Sequence, residues 1–366
     1  MFDFVIVPGP AVRSVLDTGR PEILALVEDT YRAHGRGETV NPPSCFLRFP
    51  GKPEARIIAL PAHLTGDGGQ AALAGIKWVS GFPANTAAGL PRASAVLILN
   101  DYGTGHPVAC LEAAGISAAR TGASAAVAAR ALRPRGHRDT RIGVVGAGVI
   151  ARAVCDYLVA ADCLPDRFVV HDLDEASGRA LTAHLAAAHG QRASFAPDPG
   201  SALECETVVF ATTATTPYVH APFKPGQLVL HISLRDLAPE VILQADNILD
   251  DVDHCLTAGT SPHLAEQRTG RRDFVTGTLA GVLDGSVRPA GDRPVVFSPF
   301  GLGVLDIAVG AHVLGRARQA GTTVTVPDFF GETRRWPGHH HPQGPGTAGE
   351  EEREEEQGPP ARGGSR

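Results

Sequence analysis

TRIGVVGAGVIA, residues 140–151, decides the fold. Ile142 to Val145 reads as a buried strand, two glycines follow at once, and Ala151 takes the third small position of a G-x-G-x-x-A turn that opens a helix. Gly146 permits the tight turn, Gly148 lets a diphosphate approach the backbone, and Ala151 lets helix and strand pack closely. The free N–H groups of the turn and first helical residues, from Ala147 through Val149 and Ile150, would then receive the phosphates. In a chain with 42 glycines the motif needs its context. The next strand, RFVVHD, supplies it, ending in Asp172 near the expected distance for the acid that accepts from ribose hydroxyls. A carboxylate there repels a 2′-phosphate, so the cofactor expected is NAD rather than NADP. The competing reading is a glycine turn in an unrelated α/β fold, with Asp172 as a helix cap.

Outward from this turn, strands and helices alternate through Val149–Ala161, Glu175–His189, TVVFATTA, QLVLHIS and NILDD. That rhythm predicts an α/β fold with a Rossmann-type doubly wound parallel sheet over residues 136–299. Residues 1–135 carry RIIALPA, IKWVSGF and ASAVLILND between Gly/Pro/Asn clusters, which predicts a strand-rich α+β domain for substrate binding and dimerisation. A helix of small residues is expected from Cys110 to Leu132. A helix at about 300–325 is expected to return to the first domain, and residues 331–366, rich in Pro, Gly and Glu, to form a disordered tail.

Composition narrows the function. Hydrophobic residues are 43%, charged residues 20%, and the net charge is −6. No apolar run reaches the ~18 residues of a membrane span, and no basic tract announces nucleic acid. The chain is read as cytoplasmic, without a membrane or nucleic-acid partner. Six scattered cysteines form neither a zinc motif nor a disulfide framework. The triplet His339–His341 sits in the tail without a second ligand group, so no metal is expected. Among 33 basic residues only Lys52, Lys77 and Lys224 are lysines, and an amine, unlike a guanidinium, titrates when buried.

Two candidates for chemistry follow. Asp236, in HISLRD, lies just beyond an apolar strand, where a cleft opens in such folds. Lys77 lies inside IKWVSGF, where an unpaired ammonium is costly to bury, so it has a partner or a task unless it faces solvent. Thr212 and Thr213 in ATTAT, and Ser233, also end strands and are placed at the cofactor crevice.

GIKWVSGFPANTAAGLPRASAVLILNDYGTGHP, AARTGASAA, GVVGAGVIA and HISLRD, in this order, resemble the ornithine cyclodeaminase/μ-crystallin family of NAD(P)-dependent enzymes. The resemblance spans residues 1 to about 325. LPRASAVLILNDYGTGHP, HISLRDLAPEVI and FSPFGLGVLDIAVG are most similar to its N-((2S)-2-amino-2-carboxyethyl)-L-glutamate dehydrogenase branch. It implies that Lys77 and Arg48 hold a substrate α-carboxylate, that Asp236 is the acid/base, and that Arg120 binds the cofactor pyrophosphate. Arg92, Glu240 and Pro299-Phe300 depart from the cyclodeaminase pattern, and Arg92 is assigned to a second carboxylate. The implied reaction is NAD-dependent oxidative hydrolysis to L-2,3-diaminopropionate and 2-oxoglutarate, serving siderophore or peptide-antibiotic biosynthesis, by a homodimer. The alternatives are ornithine cyclodeamination, alanine dehydrogenation or ketimine reduction, or a non-catalytic dinucleotide-binding role.

Overall fold

In the computed structural model, which describes residues 4–66, 72–134 and 136–331, two eight-stranded sheets carry the chain. The first is mixed and runs, edge to edge, Val324–Val326, Phe4–Val7, Pro107–Glu112, Ala93–Asn100, Leu73–Gly81, Lys52–Leu64 and Thr39–Val40, with Cys45–Phe49 also paired to Lys52–Leu64. Only Phe4–Val7 and Pro107–Glu112 pair in parallel. The second sheet has the order Ala193–Phe195, Arg167–His171, Arg141–Val145, Thr207–Phe210, Leu228–His231, Val295–Ser298, Asp246–Leu249, Val275–Thr278, and every pair in it is parallel. Its central strands are buried on both faces, which is why they read as continuous apolar runs rather than alternations.

The order of strands reverses at Arg141–Val145, between its neighbours Arg167–His171 and Thr207–Phe210. In an open parallel sheet that switch point is where a ligand crevice opens at the carboxyl ends. The α/β, doubly wound expectation therefore holds.

The expected helix Cys110–Leu132 is shorter than the sequence suggested. Pro107–Glu112 is a strand, and the helix spans Ala114–Leu132. The switch is local chemistry: residues 108–111 alternate half-buried and buried, and the Glu112 carboxylate accepts from Ala114 N at 2.6 Å, occupying a free helix N–H. The small residues then do their work, because a Cβ on Gly122 would lie 2.6 Å from the carbonyl oxygen of Ala153. The helix thus rests directly on Val149–Ala160, the helix that leaves the glycine turn.

The last long helix, Gly303–Gln319, packs on the mixed sheet, where the side chain of Leu97 fills the notch at Gly310. One apolar core runs through both sheets, from Val7, Leu97 and Val309 to Val144, Val209 and Leu230. The chain up to Pro327 forms one compact unit. Of the rest, Asp328–Gly331 makes a turn closed by Gly331 N donating to Asp328 O, with Phe329 and Phe330 edge to face at 5.0 Å. The tail expected to be disordered, with His339–His341, lies outside the described residues from 332 onward. No described helix is long and apolar enough to cross a membrane.

Candidate active site

The glycine turn has the shape of a phosphate cradle. Gly146 has φ +95°, and a Cβ there would stand 2.4 Å from the carbonyl oxygen of Ala211, so the turn and the loop after Thr207–Phe210 abut at the switch point. Gly148 has open space where a side chain would project, and it caps Val149–Ala160 without any side-chain hydrogen bond. Free helical N–H groups beside open space suit an anion. Val149 is 61% exposed at the mouth, whereas Ala151 is fully buried against the sheet. Asp172 closes the turn, its carboxylate accepting from Ala147 N at 2.6 Å and Asp174 N at 2.8 Å. Each oxygen keeps a lone pair for a ribose hydroxyl. The helix-cap reading fails, since Asp174, not Asp172, caps Glu175–His189.

Behind the cradle lies a buried charge triad. Lys77 is 1% exposed, and its Nζ donates to Asp306 Oδ2 at 2.7 Å and to Ser117 Oγ at 3.2 Å. Arg120 Nε donates to Asp306 Oδ1 at 3.1 Å, and its guanidinium lies against Gly301, where a Cβ would sit 2.4 Å from Nη1. That contact requires glycine at φ +98°. One carboxylate thus serves two cations. Burial pushes the Lys77 amine down to about 8, only partly countered by Asp306. Lys77 therefore has both a partner and a pKa suited to proton transfer.

Asp236 is wholly enclosed. Its carboxylate accepts from Thr212 Oγ1, from Tyr218 Oη at 3.1 Å and from Ser233 Oγ, and His231 Nε2 stands 3.2 Å away. Burial pushes the carboxyl up, but donation by His231, Ser233 and Thr212 outweighs this and holds it below the ordinary value. The backbone N–H of Asp236 also points at His231 Nε2 at 3.2 Å. Thr212 and Ser233 spend their hydroxyls on Asp236 rather than outward; Thr213 is exposed.

A third group was only half visible in the sequence. Arg48 and Arg56 are directly opposed across two antiparallel strands, and like charges so placed destabilise a sheet. Arg56 feels Arg235, Arg92 and Arg48, and Arg235 feels Arg48; burial, reinforced by these neighbours, pushes Arg56 and Arg235 down. Among the described residues none of the four forms an ion pair with a carboxylate within 4.0 Å. Arg235 Nη2 donates to Ala258 O at 2.8 Å, and its neighbour in the chain is Asp236. Register puts Lys77, opposite Leu60, on the same sheet face as Arg56, four residues along and so ~13 Å away. Arg48, Arg92 and Lys77 were expected at the substrate; Arg56, Arg235, Asp306, His231 and Tyr218 were not. Glu240 pairs with His220 and Arg268 at the surface.

A family description, ornithine cyclodeaminase/mu-crystallin, matches residues 14–321. The chain belongs to that family. It is 29% identical over 315 residues to the nodulation efficiency protein NfeD of Rhizobium meliloti, covering 83% of this chain and 92% of that one. It is 28% identical over 312 residues to the N-((2S)-2-amino-2-carboxyethyl)-L-glutamate dehydrogenase of Staphylococcus aureus, covering 80% and 90%. An archaeal alanine dehydrogenase, solved as a dimer with bound NAD, superposes with a TM-score of 0.78 at 26% identity, over 89% of this chain and 100% of that one. The chain is therefore a member of a family of amino-acid dehydrogenases and reductases that act on CH–NH bonds.

Proposed function

We propose that the protein is the NAD-dependent dehydrogenase that splits N-((2S)-2-amino-2-carboxyethyl)-L-glutamate, with water, into L-2,3-diaminopropionate and 2-oxoglutarate. The observation that carries this reading is the group Arg48, Arg56, Arg92 and Arg235, four mutually repelling guanidiniums of which, among the described residues, none has a carboxylate within 4.0 Å. The substrate has three carboxylates; alanine and ornithine have one. Like-charge repulsion among the arginines is relieved when carboxylates enter, which ties affinity to carboxylate number.

NAD, when bound, would supply the acceptor for the hydride that leaves the glutamyl α-carbon; Gly146, Gly148 and the first turn of Val149–Ala160 would hold its diphosphate, and Asp172 its ribose. Arg48 and Lys77 fix the α-carboxylate and aim the α-hydrogen, an orientation effect, while Arg92 takes a second carboxylate. The secondary amine must lose its proton before its lone pair can form the C=N bond, and Lys77 or Asp236 accepts it. Asp236, itself enclosed, connects outward through Tyr218, whose hydroxyl donates to it and whose side chain is exposed. The same groups return protons as water adds and the carbinolamine breaks to amine and ketone. Net, one substrate, one NAD+ and one water give diaminopropionate, 2-oxoglutarate, NADH and a proton. Such a product would serve siderophore or peptide-antibiotic assembly.

The test is incubation with NAD and this substrate, against alanine and ornithine. NADH with matching 2-oxoglutarate from the tricarboxylate alone is the expected result. Turnover of alanine or ornithine at comparable efficiency overturns it.

A further inference from the structure

Away from the cleft, Asp156, His184 and His189 converge from two helices. Asp156 projects from Val149–Ala160, and both histidines from Glu175–His189. The Asp156 carboxylate oxygen Oδ1 lies 2.6 Å from His184 Nε2 and 2.7 Å from His189 Nε2, and the three ligand atoms lie within 4.8 Å of one another. Asp156 is buried and the His189 side chain is 13% exposed. The other carboxylate oxygen faces Arg20 Nη2 at 3.7 Å, an outer contact that orients the group. Close by, Tyr157 is 3% exposed with a hydroxyl that has no hydrogen-bond partner among the described residues, and it feels both Arg20 and Asp156.

We infer that this cluster is a binding site for a divalent transition ion of the zinc type. Two imidazoles and one carboxylate are the donor set zinc takes, with a fourth position left for water. In a tetrahedral site with bonds of about 2.0–2.1 Å, the ligand atoms stand about 3.3 Å apart. The two His–Asp distances therefore need to open by about 0.6 Å, a small turn of side chains whose backbones are already placed. The ion would cross-link Val149–Ala160 to Glu175–His189, two helices that flank the dinucleotide strands. It takes no part in the reaction proposed above and does not depend on it.

Cobalt(II) is the probe, because its visible d–d bands report tetrahedral nitrogen and oxygen coordination. The protein is the full chain carrying His339→Ala, His340→Ala and His341→Ala, which removes the histidine triplet of the tail. One equivalent of cobalt should bind, give tetrahedral bands that zinc abolishes, and raise the melting midpoint by about 3 °C or more at a hundredfold excess over Kd. His189→Ala and His184→Gln, each in that background, should lose the bands and at least tenfold in affinity. The proposal is overturned if no tetrahedral bands appear, or if they persist unchanged in either folded variant. A cluster held together only by its hydrogen bonds would give that negative result.

Discussion

Three hydroxyls donate to the buried Asp236 carboxylate, with His231 beside them, and its charge is correspondingly secure. Asp236→Asn keeps the shape but cannot exchange a proton. Turnover should fall roughly 10²-fold or more, while NAD affinity stays near normal because Gly146, Gly148 and Asp172 are untouched. Near-normal turnover in a well-folded variant would reduce Asp236 to a brace for its loop, in which Leu234 sits at φ +69°.

Lys77 offers a sharper probe, since burial holds its amine at about 8 against the ordinary 10.5. If the neutral amine is the acceptor, the turnover profile has a limb rising through pH ~8, and Lys77→Arg, which keeps the cation on Asp306 but does not titrate, abolishes that limb. Stability follows the same proton. Between pH 8 and 10.5 the unfolded chain holds the proton and the folded one has released it, so stability rises with pH across that window. Below pH 8 the cost of burying the cation is fully present. Denaturant titrations should show the wild type gaining on Lys77→Arg from pH 8 to 10.5; parallel curves would mean that the amine is not depressed.

At the scale of elements, the strand, glycine turn and helix of residues 141–160 form one unit with Asp172 as its clasp. Asp172→Ser with Leu173→Arg should weaken NAD and admit NADP, since Leu173 is 99% exposed beside Asp172. Tighter NADP binding by the unaltered protein would remove Asp172 from the ribose. This unit was the most legible part of the chain, because its glycines answer to steric demands that any sequence must meet. HISLRD was legible as a strand end for a similar reason. Asp306 was not, although it stands alone in the apolar run GVLDIAVG and only a buried cation accounts for it there. Arg56 and Arg235 were hidden by number. Among 30 arginines, nothing local separates one that faces Arg48 through cross-strand register, or one that a loop brings beside it, from those that coat a surface. Nor did the sequence reveal where strand becomes helix at Glu112, which depends on a side chain folding back to cap.

On the scale of the whole molecule, the mixed sheet leaves one face thinly covered. Register places Ile57, Ile76, Trp78, Val96 and Ile98 on the face opposite Lys77, with Trp78 and Val96 each 40% exposed. A contiguous apolar face of this kind suits association, and we propose a homodimer built on it. Trp78→Arg combined with Val96→Arg should shift sedimentation from dimer to folded monomer. A wild type that sediments only as monomer at micromolar concentration would refute this.

The edge strand Val324–Val326 runs antiparallel to Phe4–Val7, with Phe4 opposite Val326. Partners so placed lie about 5 Å apart, so the polypeptide up to this point is nearly a closed ring, and the whole parallel sheet is an insertion whose entry and exit both lead back to the mixed one. Which bond is left open is then a matter of ancestry rather than of physics. A circular permutant that joins Val326 to Phe4 through a short glycine linker, and opens instead at the exposed loop near Gly136, should fold with the same cradle and the same charge triad.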